Sequence, residues 1–173
     1  MLDKVMTIFR FLQEKDVFEK YYKQHLSKRL LSSRSFSDQA EGSLLVKLKT
    51  ECGYQFTSKL ESMFNDIKMS EDIQKDFRDA MQESSVDLGL DFTVRVLTTG
   101  SWPAQTSVQC RLPEELQKAG EAFERFYLKA RTGRKLTWQM NMGTVDVAST
   151  FGNQSVLINE SISRLLCRLG NTF

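Results

Sequence analysis

The feature that most constrains this chain is a change of hydrophobic period, from helical spacing throughout the first half to strict alternation at Phe92 to Val96. Leu2, Val5, Met6, Phe9 and Leu12 recur every three or four residues, and Val17, Phe18, Tyr21, Tyr22, Leu26 and Leu30 repeat the pattern. Each set lines one face of a helix. Asp16-Val17-Phe18-Glu19 has the form of a capping box, which predicts a second helix capped at Asp16 and running from Val17. The serine-rich stretch from Ser32 to Ser37 interrupts the spacing. Leu44, Leu45, Leu48 and Cys52 then form a third stripe ending at Gly53, a residue suited to the left-handed position past a helix end. A fourth stripe runs through Phe56, Leu60, Met63, Phe64, Ile67, Ile73, Phe77 and Met81. Four amphipathic helices with short connections predict a helical bundle over 1–87.

After the polar stretch from Ser84 to Gly89 the pattern changes. Phe92, Val94 and Val96 share one side of an extended segment, with Thr93 and Arg95 on the other, which predicts a half-buried strand. It runs into Gly100-Ser101-Trp102-Pro103, where the proline keeps its predecessor extended. A helix is predicted from Pro113 to Ala130, with Leu116, Phe123, Phe126 and Tyr127 inward and Gly133 just beyond its end. Leu136, Trp138 and Met140 predict a second strand, and Val145 and Val147 a third, after Gly143. The fold class is therefore α+β, mostly α: a helical bundle, a small sheet-plus-helix unit over 88–152, and a tail over 153–173. In that tail Ile158, Ile162, Leu165, Leu166 and Leu169 recur at helical spacing, predicting a short amphipathic helix stopped by Gly170.

Composition excludes much chemistry. One histidine, His25, leaves no two-histidine zinc site and no di-iron pair. Cys52, Cys110 and Cys167 are scattered and odd in number, which fits a reducing compartment and no disulfide framework. Neither a phosphate loop nor a dinucleotide fingerprint occurs among the nine glycines. No apolar run reaches membrane-spanning length, and the N-terminus lacks a secretory signal pattern. A net charge of +2 is too small for a polycation held by phosphate neutralisation. These observations favour a binding or scaffold protein over an enzyme, with no cofactor, metal, nucleic acid or membrane as partner and an intracellular setting.

The segments VMTIFRFLQEKDVFEKYYKQHLSKRLL, LLVKLKTECGYQFTSKLESMFNDI, FTVRVLTTGSWP and FERFYLKARTGRKLTWQ resemble the C-terminal region of the cullins, most nearly those of the cullin-3 type. The resemblance covers about Leu2 to Phe151 in uninterrupted order. It implies a four-helix bundle followed by an α/β unit, and a scaffold function in RING-type ubiquitin ligases and ubiquitin-dependent protein degradation. In cullins the α/β unit takes an N-terminal β-strand from the RING-box protein, which carries its own zinc and brings the ubiquitin-conjugating enzyme. Strand addition needs an open edge, whose backbone groups pair while alternate side chains set register. The matching positions are Phe92, Val94, Val96, Thr98 and Trp102 on the first predicted strand, and Leu136, Trp138 and Met140 on the second. The same residues also suit a purely internal core. The family's N-terminal repeats, which bind BTB adaptors in the cullin-3 type, and the winged-helix region that carries the NEDD8-modified lysine have no counterpart in this sequence. Residues 152–173 depart from the expected family pattern, as in a fragment or truncated product.

Other features carry a weaker message. Lys20, Lys23, His25, Lys28 and Arg29 form one basic cluster, and Arg125, Lys129, Arg131, Arg134 and Lys135 another. Either is a solvated helix face or a docking surface, and together they support an alternative reading as a non-catalytic nucleic-acid-binding or other interaction domain. Asp72, Asp76, Asp79 and Glu83 line one helix face as a solvated stripe. Cys52 and Cys110 are candidate thioester acceptors, with no adjacent base, so structural thiols are the simpler reading.

Overall fold

Five α-helices and one antiparallel hairpin make up the regular structure of the computed structural model, which describes residues 2–32, 38–103, 112–151 and 154–161. The helices are α1 (Leu2–Arg10), α2 (Lys15–Leu31), α3 (Asp38–Cys52), α4 (Tyr54–Glu83) and α5 (Glu114–Ala130). A 3-10 turn at Met140–Met142 precedes strands β1 (Thr144–Phe151) and β2 (Gln154–Ser161). Packing divides the chain into two units. The first is Met1–Asp76 with Thr93–Ala104, and the second is Phe77–Phe92 with Gln105–Phe173, so the division does not follow the change of period.

In the first unit the predicted stripes become the core. Met6 and Phe9 of α1 and Leu48 of α3 are buried, with Phe18, Tyr22, Leu44, Cys52 and Phe56 packed around them. The Phe9 ring meets Phe18 edge-on at 5.0 Å and Phe56 at 6.1 Å, and Phe18 stacks on Tyr22 at 5.6 Å. Leu26, Leu60 and Met63 are fully enclosed. Helix α2 is capped at Glu14, two residues before the predicted cap at Asp16, because the Glu14 carbonyl already accepts the Phe18 N–H at 3.3 Å. Asp16 therefore lies inside the first turn, where its charge meets the positive end of the helix, and forms no capping box. Gly53, at φ +83°, divides α3 from α4 by a single residue, and its N–H closes on the Lys49 carbonyl at 2.8 Å.

Tyr22 anchors a polar cluster beside this core. Its hydroxyl donates to Glu41, whose carboxylate also pairs with Arg29 at 2.7 Å, and the Arg29 guanidinium lies 5.7 Å from the Tyr22 ring centre. Burial, reinforced by the Glu41 carboxylate, pushes the phenol well above its usual value of 10.0. The unfolded chain thus loses this proton first as pH rises. The stabilisation is complete below pH 10 and declines above it. We expect the melting temperature of the wild type to fall more steeply above about pH 10 than that of Tyr22→Phe. Parallel slopes in thermal melts across that range would contradict the assignment.

The second unit is organised by aromatic rings. Phe123, fully buried on α5, meets Phe77 at 5.2 Å, Tyr127 at 6.0 Å, Trp138 at 6.2 Å and Phe126 at 6.3 Å. Ala119 and Ala122 share its buried side of α5. Helix α5 begins as the sequence predicts, with the Pro113 carbonyl accepting the Gln117 N–H at 3.0 Å and Glu114 and Glu115 in the first turn. Strands β1 and β2 pair from Thr144↔Ser161 to Phe151↔Gln154.

Three expectations change here. Residues 92–98 are extended but belong to no strand ladder, because the N–H groups of Val94, Val96 and Thr98 bond to side chains of α4. Residues 136–139 form no strand, and Met140 opens the 3-10 turn. Val145 and Val147 do lie in a strand, yet its partner is the first part of the tail, with Ile158 opposite Val147, so the predicted helix does not form across Ile158–Ser161. The run Val156-Leu157-Ile158 favours a strand, and Gly152-Asn153 is a two-residue hairpin signal that outweighs the helical spacing. Ile162, Leu165, Leu166, Leu169, Cys110 and Cys167 lie outside the described residues.

Candidate partner-binding site

Helix α4 and the segment that follows it build the site. Ser70 and Gln74 are buried polar residues in an otherwise apolar stripe, with Asp66 half-buried one turn earlier. Their side chains accept main-chain donors from the extended segment in order. Gln74 Oε1 takes the Val94 N–H at 2.9 Å, Ser70 Oγ the Val96 N–H at 2.8 Å, and Asp66 Oδ2 the Thr98 N–H at 2.8 Å. The Ser70 hydroxyl proton is shared between the carbonyls of Asp66 at 2.7 Å and Val96 at 3.1 Å. Asp66 also accepts the Thr98 hydroxyl at 2.7 Å and the indole N–H of Trp102 at 2.6 Å.

The segment ends in a tight turn. Ser101 donates to the Thr98 carbonyl at 3.2 Å across Gly100, whose φ of +88° is the left-handed value that a type II turn requires at its third position. That turn brings Trp102 back to Asp66, and the indole is 7% exposed. Exposure alternates as the sequence predicts only as far as Val96. Phe92, Val94 and Val96 are half-buried and Thr93 and Arg95 exposed, but Leu97 is half-buried and Thr98 exposed, the reverse of the predicted pattern. Arg95 approaches Glu71 at 3.6 Å, a long surface pair of small energetic weight.

Of the eight predicted site residues, Val94, Val96, Thr98 and Trp102 meet on α4 in the first unit. The others fall in the second, where Trp138 is half-buried with Phe92 at 6.5 Å and Leu136 and Met140 are also half-buried. Asp66, Ser70 and Gln74 did not stand out in the sequence, although a serine and a glutamine four apart inside an apolar stripe are the signal that could have found them.

Among the described residues the remaining candidates lie mostly at the surface, with Arg125, Lys129, Arg131, Arg134 and Lys135 all exposed. His25 is exposed, as are Lys20 and Lys28, while Arg29 is engaged by Glu41. Burial lowers the Lys23 ammonium, helped by nearby Lys59. Burial raises the Cys52 thiol against the opposing pull of Lys15, the reverse of an activated nucleophile. Asp72, Asp76, Asp79 and Glu83 are exposed. Among the described residues no group of three potential ligands could hold a metal ion, and no helix is long and apolar enough to cross a membrane.

Comparison with known proteins accounts for this arrangement of helices followed by an α+β unit. The Cullin alpha solenoid domain matches residues 1–74, and the Cullin alpha+beta domain matches residues 96–166. The chain belongs to the cullin family. Its relatives include Cullin-3A of Arabidopsis thaliana, 60% identical over 152 residues, and Cullin-3 of Dictyostelium discoideum, 53% identical over 155. Cullin-4A of Mus musculus is 48% identical over 151 residues. These alignments cover 88%, 90% and 87% of the chain but 20% of each relative, so this cullin chain spans about a fifth of the length of the relatives it matches. The higher identities to the cullin-3 relatives agree with the resemblance of its segments to that type. The α+beta match runs through β2 and past Phe151, so part of the tail that departs from the expected pattern belongs to the family domain.

Proposed function

We propose that this chain supplies the platform region of a cullin-3-type scaffold in a RING ubiquitin ligase. It takes an N-terminal β-strand from the RING-box protein along residues 92–98 and through it a ubiquitin-conjugating enzyme. The observation that carries this reading is an extended segment with alternating exposure, held on one side by α4 side chains and joined to no strand ladder among the described residues. Such a segment offers backbone donors and acceptors to a partner strand. The chain contributes no catalytic group; ubiquitin transfer rests with the partners, in the cytoplasm and nucleus.

The test is titration of the purified chain with the RING-box protein at low salt and at about 0.5 M salt. Strand addition keeps most of its affinity across that range, whereas a phosphate-neutralising mode would lose orders of magnitude. Absence of binding at either salt concentration overturns the proposal.

A further inference from the structure

Building on the strand-addition reading, we infer that α4 acts as a surrogate strand. Asp66, Ser70 and Gln74 hold one edge of residues 93–98 and thereby assign the opposite edge, at Thr93, Arg95 and Leu97, to the incoming strand. In an extended chain the N–H and C=O of one residue point to the same edge and those of its neighbours to the other. The N–H groups of Val94, Val96 and Thr98 all point to α4, and the Val96 carbonyl accepts from Ser70 on the same side. The main-chain groups of Thr93, Arg95 and Leu97 therefore face away from α4.

The two elements match in pitch. Four residues of helix rise about 6.0 Å. Two residues of strand rise about 6.7 Å. Acceptors at i, i+4 and i+8 can therefore keep step with alternate N–H groups over three contacts, and the order Gln74–Val94, Ser70–Val96, Asp66–Thr98 runs antiparallel. A lone extended segment loses backbone entropy when a partner strand fixes it. Here α4 has already fixed it. The three side chains are positioning residues: they touch no partner atom and act by holding the receiving edge straight.

Amide hydrogen exchange and RING-box binding together test this. In the free wild-type chain the amides of Val94, Val96 and Thr98 should exchange slowly and those of Thr93, Arg95 and Leu97 quickly, and complex formation should slow the second set. Ser70→Ala with Gln74→Met removes two acceptors. This variant should retain its helical circular dichroism, release the Val94 and Val96 amides, and bind about tenfold more weakly. Gln74→Glu keeps an acceptor oxygen and should bind within about threefold of wild type. If the double variant does not fold, Ser70→Ala alone carries the test, with release expected at the Val96 amide and not at Val94.

Unchanged affinity in a variant with released amides overturns the inference, as does protection gained on binding anywhere other than Thr93, Arg95 and Leu97, or a loss in Gln74→Glu equal to that of the double variant. If the wild type does not bind the RING-box protein, strand addition falls. The exchange pattern of the free chain then decides the role of α4, and equal rates on both edges reject it.

Discussion

Phe123→Ala should lower the unfolding free energy by about 3–5 kcal/mol, the largest effect of a single substitution in the second unit. The ring is fully enclosed and makes four aromatic contacts, with Phe77, Phe126, Tyr127 and Trp138. Truncation removes transfer free energy and leaves a cavity that four rigid rings cannot readily collapse to fill. Edge-on and stacked pairs are also lost, each worth about 0.5–1.5 kcal/mol beyond burial. Leu128, the neighbour that points outward with 36% exposure, is the control, and its alanine variant should change stability by less than about 1 kcal/mol. Urea denaturation followed by circular dichroism measures both. A Phe123→Ala variant within about 1 kcal/mol of wild type would show that the ring cluster does not organise this unit.

Periodicity made the helices legible because burial acts on side chains one at a time, and side-chain position is what spacing encodes. The stripe Leu60, Met63 and Ile73 became the buried face of α4, and Phe123 and Tyr127 the buried face of α5. Alternation likewise placed Phe92, Val94 and Val96 on the covered side of their segment. What alternation cannot encode is the identity of the group that pairs with each backbone edge. The Val96 N–H meets a serine hydroxyl on a helix, where the sequence reading supplied a neighbouring strand. Ser70 and Gln74 were hidden for the same reason: a polar residue in a helix reads as solvated until a backbone donor is seen to satisfy it. In the tail two periods competed. Ile158 fits a helix with Ile162 and a strand with Val156, and pairing with β1 settles the matter through residue 161 by holding β2 in register along its full length.

Asp66 bears the greatest polar load in the first unit, and its removal should cost about 3 kcal/mol. One carboxylate accepts the Thr98 N–H, the Thr98 hydroxyl and the Trp102 indole N–H. Hydrogen bonds to a charged acceptor are worth about 1.5–3 kcal/mol each, but they share one side chain and do not add. Thr98 is exposed and can turn to water, so its donors contribute the smaller part. Trp102 is 7% exposed, and its N–H has far less access to solvent once the acceptor is gone. Asp66→Leu should therefore loosen the Gly100 turn as well as lower stability. In a Trp138→Phe background, where Trp102 is the sole indole, its emission should shift to the red. Asp66→Asn retains one carbonyl oxygen to accept the Thr98 and Trp102 N–H groups, and its amide can donate to the Thr98 hydroxyl. That variant should lose about 1 kcal/mol and keep the wild-type emission. Equal losses in the two variants would mean that charge, not the acceptor geometry, holds the turn; an Asp66→Leu variant as stable as wild type would remove Asp66 from the account altogether.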